Sequence, residues 1–360
     1  MCGFGSCYEV LGRQMSKPNS IHYEVVYGQG CAEQLLALAA RKSTLVVTDE
    51  LLWGKYGKTF ESLDPQLVMP RTMESSILER QHGQLDAFDL AVGLGGGMAL
   101  DIAKYHAWKA SKPLYQVPTA ISVDAMFSYP IALRIDGKVK YVGEKIPEQI
   151  FCDYSIIQSA PAVMNRSGAC DLLSCHTALF DWKLAASKGK SSFDSQLYNQ
   201  TEALLRDVIE NLDEIHQVTE KGIRLMMEGY RFVAVENYRV GHCQYEEGSE
   251  HFFYYCLEAQ TQKHFLHGKV INLGILLMSL LQENEVDSIK SILKRVGVPI
   301  HPASMDITYE DIRCALRACN RYVEEKGTSY SILNERTITD QWIDDALDVL
   351  RTEFDPFVAQ

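Results

Sequence analysis

The stretch that decides the fold reads FDLAVGLGGGMALD and occupies residues 88–101. An apolar strand pattern over residues 88–94 runs into three consecutive glycines, and a helical pattern follows over residues 98–110. Further strand patterns alternate with helical ones along this half of the chain, at residues 22–28, 44–48, 66–69 and 114–118. Strands separated by helices of this length predict βαβ units and a parallel sheet.

The pattern changes after Pro161. Before it, Asp136-Gly137 predicts a hairpin turn between strands at 131–135 and 138–142, and residues 151–157 are expected to form a last strand. Beyond it only helical periodicity remains, at residues 167–187, 196–212, 218–238, 246–260, 266–282, 285–296, 309–325 and 338–353. We therefore predict an α/β nucleotide-binding domain over residues 1–160 and an all-α domain over residues 161–360.

The triglycine turn is suited to phosphate binding. Glycine lets the backbone approach a phosphate closely, and the helix that follows offers unpaired N–H groups and the positive end of its dipole. The turn lacks the G-x-G-x-x-G spacing, since position 98 is Met. A tight strand-to-helix connection without a ligand is an equal alternative on the glycines alone.

Asp49 follows the strand pattern at residues 44–48. An acidic residue in that place can bond the adenosine ribose hydroxyls, which favours NAD over NADP. Asp is also a common N-cap, here for the helical pattern at residues 51–63. The two roles are compatible.

Three residues of the helical half are candidate metal ligands: Asp171, His251 and His267. Two imidazoles and one carboxylate suit a catalytic divalent ion with one position left open. This mixed nitrogen and oxygen set favours zinc or iron over calcium or magnesium. The spacings alone are weak evidence, and His176 and His264 are competing candidates that we assign to supporting or structural roles.

Composition excludes several classes of function. The 35 basic and 47 acidic side chains give a net charge of −12, which argues against nucleic acid or an anionic membrane as the main partner. We find no apolar run long enough to span a membrane and no secretory signal. The ten cysteines form no Cys-x-x-Cys pair, so reduced thiols and a cytoplasmic location are expected.

Together these motifs resemble the iron-containing alcohol dehydrogenase and glycerol dehydrogenase superfamily. The resemblance rests on the run from Gly95 to Asp101 and Lys104, on PTAISVDA at 118–125, and on the three candidate ligands. The strings DLLS at 171–174 and DWKLA at 181–185 look most like the glycerol-1-phosphate dehydrogenase branch. The similarity extends over about residues 20–285.

The resemblance implies a fold and a set of roles. It implies an active site in the cleft between the two domains, with a metal ion on Asp171, His251 and His267. It assigns cofactor contacts to Gly95, Gly96, Gly97, Asp101, Thr119 and Ser122. It places Asp124 beside the substrate or a metal-bound water, and Lys145 falls where the family often has a lysine before proline. A homo-oligomer is also what the family suggests.

The chain departs from the branch before its Glu-His pair. An Arg-Pro-Ala-Ser-like stretch is usual there, whereas this chain has CQYEEG at residues 243–248, and Phe180 stands where a Glu often precedes Asp-Trp. Two acids in place of a basic segment would suit an uncharged polyol or an amino alcohol better than a phosphate ester.

The function we predict is NAD- or NADP-linked oxidation of a small polyol or polyol phosphate, or the reverse reduction of its ketone. Zinc is the favoured ion, with iron or nickel as alternatives, and bound metal would lower the pKa of the substrate hydroxyl. Two alternatives stay open. One is a dehydroquinate-synthase-like lyase or cyclase that uses NAD transiently, and the other is a binding protein without turnover.

Overall fold

The computed structural model describes residues 20–354, and these fall into two compact units. The first, the α/β unit, contains residues 20–161 together with Tyr230–Val240. The second, the helical unit, contains Ala162–Gly229 and residues 241–354.

The α/β unit is built from eight strands within the described residues. They are β1 (Val25–Gly28), β2 (Thr44–Val47), β3 (Gln66–Val68), β4 (Leu90–Gly95), β5 (Leu114–Pro118), β6 (Pro130–Ile135), β7 (Lys138–Glu144) and β8 (Gln149–Asp153). Its helices are α1 (Gln34–Ala39), α2 (Glu50–Phe60), α3 (Ser75–His82), α4 (Gly97–Ala110) and α5 (Tyr154–Gln158), with short 3₁₀ turns at Cys31–Glu33 and Glu61–Leu63.

Six of these strands form one parallel sheet in the order β1-β8-β5-β4-β2-β3. The strands β6 and β7 form a separate antiparallel hairpin that turns at Asp136 and Gly137, as expected from the sequence. The prediction of an N-terminal parallel α/β fold is confirmed.

The sheet is covered by apolar side chains on both faces, as a parallel sheet requires. Along β2, Leu45 and Val47 pack into one cluster with Ile102 of α4, whereas Val46 packs into another. Along β4, Leu90 joins Val46 in this second cluster. Successive side chains of a strand point to opposite faces, so these near-continuous apolar runs fill both layers of the core.

The helical unit consists of helices throughout its described residues. They are α6 (Ala162–Leu173), α7 (Cys175–Ser187), α8 (Ser195–Glu210), α9 (Leu212–His216), α10 (Glu220–Val240, whose second half groups with the α/β unit), α11 (Ser249–Thr261), α12 (His267–Gln282), α13 (Val286–Val296), a 3₁₀ turn at Pro302–Met305, α14 (Tyr309–Lys326), α15 (Ile332–Glu335) and α16 (Asp340–Phe354). The expected all-α C-terminal region is confirmed. No helix between residues 20 and 354 combines the length and apolarity needed to cross a membrane.

Two predicted elements are wrong in their extent. The strand expected over residues 151–157 ends at Asp153, because that carboxylate accepts bonds from the backbone N–H groups of Ser155 and Ile156 and so caps α5. The single helix expected over residues 167–187 is two, α6 and α7, joined at Ser174. Apolar periodicity continues across the joint, so the pattern alone could not show it.

Candidate metal centre and nucleotide site

Asp171, His251 and His267 come together in the helical unit. Their potential ligand atoms all lie within 4.8 Å of one another. Asp171 Oδ1 lies 3.0 Å from His267 Nε2 and 3.4 Å from His251 Nε2. The sequence separates these residues by up to 96 positions, and three different helices, α6, α11 and α12, bring them to one point.

Close packing of α6 against α12 sets the separation of Asp171 and His267. Gly268, next to His267, lies so near Ser167 of α6 that an added Cβ would stand 1.9 Å from the Ser167 carbonyl oxygen. Only glycine fits there without moving a backbone. At the other end of α6, the Ser174 hydroxyl donates to the Glu246 carbonyl at 2.7 Å, which ties α6 to the segment before α11.

His251 is oriented by a residue that the sequence analysis did not single out, Glu250. The Glu250 carboxylate accepts a bond from His251 Nδ1 at 2.8 Å and another from the Thr177 hydroxyl of α7 at 2.6 Å. With Nδ1 engaged, Nε2 is the imidazole nitrogen that faces Asp171. The only sequence signal was the adjacency of Glu250 to a candidate ligand.

The electrostatics of the three side chains favour a positive charge between them. Burial opposes ionisation of Asp171, but the two imidazoles hold the pKa of that carboxyl well below its usual range. Burial also opposes a charged His251, yet Glu247, Asp171 and Glu250 together raise the pKa of its imidazole well above the ordinary value. A divalent cation would satisfy the same field.

The residues fit a divalent ion in donor type and spacing. Zinc bonded to nitrogen or oxygen at about 2.0–2.2 Å in tetrahedral geometry keeps its ligand atoms roughly 3.3–3.6 Å apart. The two Asp171–histidine distances of 3.0 and 3.4 Å are near that spacing. Two neutral imidazoles and one carboxylate leave a fourth position for a substrate oxygen.

The competing histidines do not join the group. His264 is exposed, and its Nδ1 lies 3.2 Å from Glu258 Oε1. His176 lies 3.2 Å from the Asn284 carbonyl through Nε2. Both have structural partners, in keeping with the roles assigned to them from the sequence.

In the α/β unit, the predicted cofactor residues that directly follow or end strands lie at one edge of the sheet. Asp49 follows β2, the glycines end β4, and Thr119 follows β5, and these three strands are neighbours in the order β5-β4-β2. The carboxyl ends of parallel strands meet at the same edge, where nucleotides bind in open α/β sheets. The Thr119 N–H donates to the Gly95 carbonyl at 3.0 Å and holds two of the connections together.

The glycines of the turn differ in what surrounds them. A Cβ at Gly95 would stand 2.7 Å from Ala99 Cβ, and one at Gly97 would stand 2.9 Å from Val123 Cγ2. Packing alone therefore accounts for these two glycines. Gly96 has no atom within 4 Å of its Cβ position and is the N-cap of α4. The open space at Gly96 and the N-terminus of α4, which no side chain of the described residues caps, are the features suited to a pyrophosphate.

Asp101 and Lys104 form a buried ion pair within α4, with Oδ1 and Nζ 2.6 Å apart. Lys104 also donates to the carbonyls of Ser128 at 2.8 Å and Pro130 at 3.1 Å. The pair thus anchors the end of the loop that carries Ser122 and Asp124. This structural role stands beside the predicted cofactor role of Asp101.

The two predicted catalytic residues, Asp124 and Lys145, both make local contacts in the α/β unit. The Asp124 carbonyl accepts bonds from the N–H groups of Phe127 at 2.7 Å and Ser128 at 3.0 Å, so Asp124 opens a tight turn. Lys145 Nζ forms an ion pair with Glu148 Oε1 at 2.8 Å. Ser122 is buried beside this turn. The catalytic roles given to Asp124 and Lys145 stay predictions.

Comparison with known proteins shows which family and which relatives this chain is similar to. Residues 29–161 match the family model described as iron-containing alcohol dehydrogenase. The chain is 30% identical over 330 residues to the glycerol-1-phosphate dehydrogenase [NAD(P)+] of Hyperthermus butylicus, covering 88% of this chain and 93% of the relative. A protein of the same description from Thermoplasma acidophilum is 26% identical over 337 residues, covering 89% of this chain and 95% of the relative.

The fold is also similar to that of solved structures. The glycerol dehydrogenase of Schizosaccharomyces pombe superposes with a TM-score of 0.66 at 18% identity, covering 93% of this chain and 90% of that chain. At this identity the similarity concerns the fold alone.

Proposed function

Because the chain belongs to the iron-containing alcohol dehydrogenase family and is an NAD(P)-dependent dehydrogenase acting on an alcohol group, we propose that it interconverts glycerol 1-phosphate, or a polyol phosphate closely similar to it, and the corresponding ketone. The observation that carries the proposal is the cluster of Asp171, His251 and His267 on three helices. The relatives named glycerol-1-phosphate dehydrogenase supply the substrate class.

In this proposal Asp171, His251 and His267 hold one divalent ion, with zinc as the favoured species and iron or nickel as alternatives. When bound, such an ion acts as a Lewis acid and lowers the pKa of a substrate hydroxyl. The side chains contribute one carboxylate and two imidazoles, a set that leaves a coordination position for the substrate oxygen.

The α/β unit binds the nicotinamide cofactor in this proposal. Gly96 and the N-terminus of α4 hold the pyrophosphate, Asp49 bonds the adenosine ribose, and Thr119 and Ser122 contact the nicotinamide half. A nicotinamide held by these residues would supply the acceptor for the carbinol hydride. Asp124 orients the substrate or relays the hydroxyl proton through water, and Lys145 is the second proposed catalytic residue.

The proposed cofactor domain extends over residues 1–160 and the proposed metal and substrate domain over residues 161–360, of which residues 1–19 and 355–360 lie outside the described part of the chain. Among the described residues, Tyr230–Val240 group with the α/β unit. We propose a homo-oligomer that acts on a small molecule and has no nucleic acid or membrane partner.

A second candidate substrate class is favoured by one observation. Glu247 contributes to the raised pKa of His251, and its carboxylate accepts a bond from the Tyr255 hydroxyl at 3.4 Å. A carboxylate whose charge acts on the His251 imidazole would attract an ammonium group and repel a phosphate at the proposed metal centre. A non-phosphorylated polyol or an amino alcohol is therefore the alternative substrate.

A substrate panel tests the proposal. The Zn²⁺-loaded protein is incubated with NAD or NADP and with glycerol 1-phosphate, glycerol 3-phosphate, glycerol or a short amino alcohol, and absorbance is followed at 340 nm. Reduction of dihydroxyacetone phosphate is measured in the reverse direction. We expect the fastest reaction with glycerol 1-phosphate and its ketone, loss of activity with a chelator, and recovery on adding Zn²⁺.

Three outcomes would contradict the proposal. Preference for the amino alcohol would favour the alternative substrate class. Turnover without net formation of reduced cofactor would indicate a lyase or cyclase, since such an enzyme regenerates its cofactor. Full activity after removal of all divalent metal would exclude the metal centre.

A further inference from the structure

Glu250 is a buried carboxylate in the first turn of α11, directly before the candidate ligand His251. Burial of an ionised carboxylate is costly unless its oxygens are hydrogen bonded. Thr177 and Asp181 lie four residues apart on α7, and both side chains contact this turn. The first turn of α11 is therefore built around buried carboxylates.

Both Glu250 oxygens have partners. Oε1 accepts from the Gly248 N–H at 2.7 Å and from His251 Nδ1 at 2.8 Å, and Oε2 accepts from the Thr177 hydroxyl at 2.6 Å. Two of these donors lie outside α11, so neighbouring parts of the chain fix the carboxylate. It cannot rotate away from His251 without losing bonds to groups that are themselves buried.

A second buried carboxylate, that of Asp181, also holds the first turn of α11 in place. Its Oδ2 accepts from the Ser249 N–H and its Oδ1 from the Ile332 N–H, each at 2.8 Å. The approach is close because residue 248 is glycine: an added Cβ would stand 2.8 Å from both the Ala178 Cα and Asp181 Oδ2. The first turn of α11 is thereby held against α7 and α15.

From this geometry we propose that Glu250 is a positioning residue, which holds the His251 ring with Nδ1 protonated and Nε2 directed toward the ion. The inference rests on the proposed function, since it concerns the same metal centre. His251 Nε2 lies 3.4 Å from Asp171 Oδ1, on the opposite side of the ring from Glu250. A charged acceptor on Nδ1 also makes the ring a stronger ligand.

Zinc affinity of the metal-free protein tests the inference. Glu250→Gln keeps the shape of the side chain but removes its charge, and its amide can bond either ring tautomer. We expect the dissociation constant for Zn²⁺, measured by competition with a chelator, to rise by about 10- to 100-fold. The Co²⁺-substituted variant is expected to show an altered visible absorption spectrum, which reports on ligand geometry.

Two further variants keep the test decisive. Glu258→Gln is the matched control, because Glu258 lies on the same helix and contacts a histidine, His264, outside the metal group; its Zn²⁺ affinity should equal that of the wild type. Thr177→Val removes one bond to Glu250, and we expect a smaller rise of about 3- to 10-fold, consistent with loss of one supporting bond. If Glu250→Gln fails to fold, Thr177→Val decides alone.

The outcomes separate this inference from the proposed function. The positioning role would be overturned, with the metal centre left intact, if Glu250→Gln showed wild-type Zn²⁺ affinity and an unchanged Co²⁺ spectrum. If Glu250→Gln does not fold, unchanged Zn²⁺ affinity in Thr177→Val would overturn it in the same way. A wild-type protein that binds no Zn²⁺ would overturn the metal centre itself. Tight Zn²⁺ binding without activity on the substrate panel would overturn only the proposed reaction.

Discussion

At the scale of single residues, some candidate site residues also have a structural role. Asp49 is the clearest case, since its Oδ1 accepts from the Leu52 N–H at 2.8 Å and caps α2 at the edge of the sheet where the cofactor is proposed to bind. A capping carboxylate can still accept bonds from ribose hydroxyls through its second oxygen.

Asp49→Asn separates these roles. Asn caps a helix about as well as Asp, so the melting temperature should change little. Loss of the charge removes the repulsion of a 2′-phosphate, and we expect the ratio of kcat/KM for NAD to that for NADP to fall by about tenfold. Steady-state kinetics with both cofactors measure this ratio.

Glu50→Gln provides the control for that measurement. Glu50 is the next residue, is exposed, and pairs with Arg71 at 3.4 Å. Its replacement should leave the cofactor ratio unchanged. An unchanged ratio in Asp49→Asn would show that Asp49 is only a helix cap.

At the scale of elements, the contact between α6 and α12 determines whether the metal ligands meet. Asp171 and His267 lie on these two helices, and Gly268 of α12 lies directly against the Ser167 backbone of α6. Helices this close leave no room for a single methyl group.

Gly268→Ala is therefore expected to destabilise the protein by about 3 kcal/mol and to weaken Zn²⁺ binding as α12 moves away from α6. Thermal unfolding and chelator competition measure the two effects. Gly54→Ala is the control, because a Cβ at Gly54 in α2 meets nothing within 4 Å. That variant should be neutral or slightly stabilised. Unchanged stability and affinity in Gly268→Ala would contradict this close packing of α12 against α6.

A second contact between elements joins α3 and α4 through two stacked histidines. His82 Nδ1 and His106 Nδ1 lie 3.1 Å apart, and the other charged groups near the pair are Glu79 of α3 and Lys109 of α4. Burial, with a smaller contribution from His82, lowers the pKa of His106 to about 4. The native state therefore favours neutral His106.

This lowered pKa predicts an acid-sensitive contribution to stability. Above pH 6.5 His106 is neutral in both the folded and the unfolded chain, and its contribution is complete. As the pH falls from about 6.5 to about 4, the unfolded chain binds the proton first, so about 3 kcal/mol of unfolding free energy is lost. Denaturant unfolding at pH 7 and pH 4 measures how much unfolding free energy each protein loses on acidification. We expect the loss in His106→Phe to be smaller than the loss in the wild type by about 3 kcal/mol. Equal losses in the two proteins would contradict the prediction.

At the scale of the whole molecule, the sequence predicted the order of elements well and their contacts poorly. The strand, glycine and helix succession at residues 88–110 is local, so its pattern is visible in the sequence. The break between α6 and α7 at Ser174 involves a distant contact, because the Ser174 hydroxyl donates to the carbonyl of Glu246, 72 residues away. Apolar periodicity carries no information on such a bond.

The same distinction applies to the candidate site. Asp171, His251 and His267 were singled out by residue type and then matched to the family's metal positions by resemblance, since their spacing has no signature of its own. Glu250 and Asp181 were missed as members of the site, because only packing of α7 against α11 reveals that they support it. Supporting residues of this kind are fixed by tertiary contacts, and a single sequence does not display them.

The measurement that tests the central claim most directly is the zinc content of the purified protein and of Asp171→Ala, determined by mass spectrometry after equilibration with Zn²⁺ and removal of the excess. We predict about one ion per chain for the wild type and almost none for the variant, as expected for three ligands reduced to two. Asp287→Ala, which alters an almost fully exposed carboxylate, should retain the ion. Full zinc occupancy in Asp171→Ala would contradict the metal centre on which the proposed function rests.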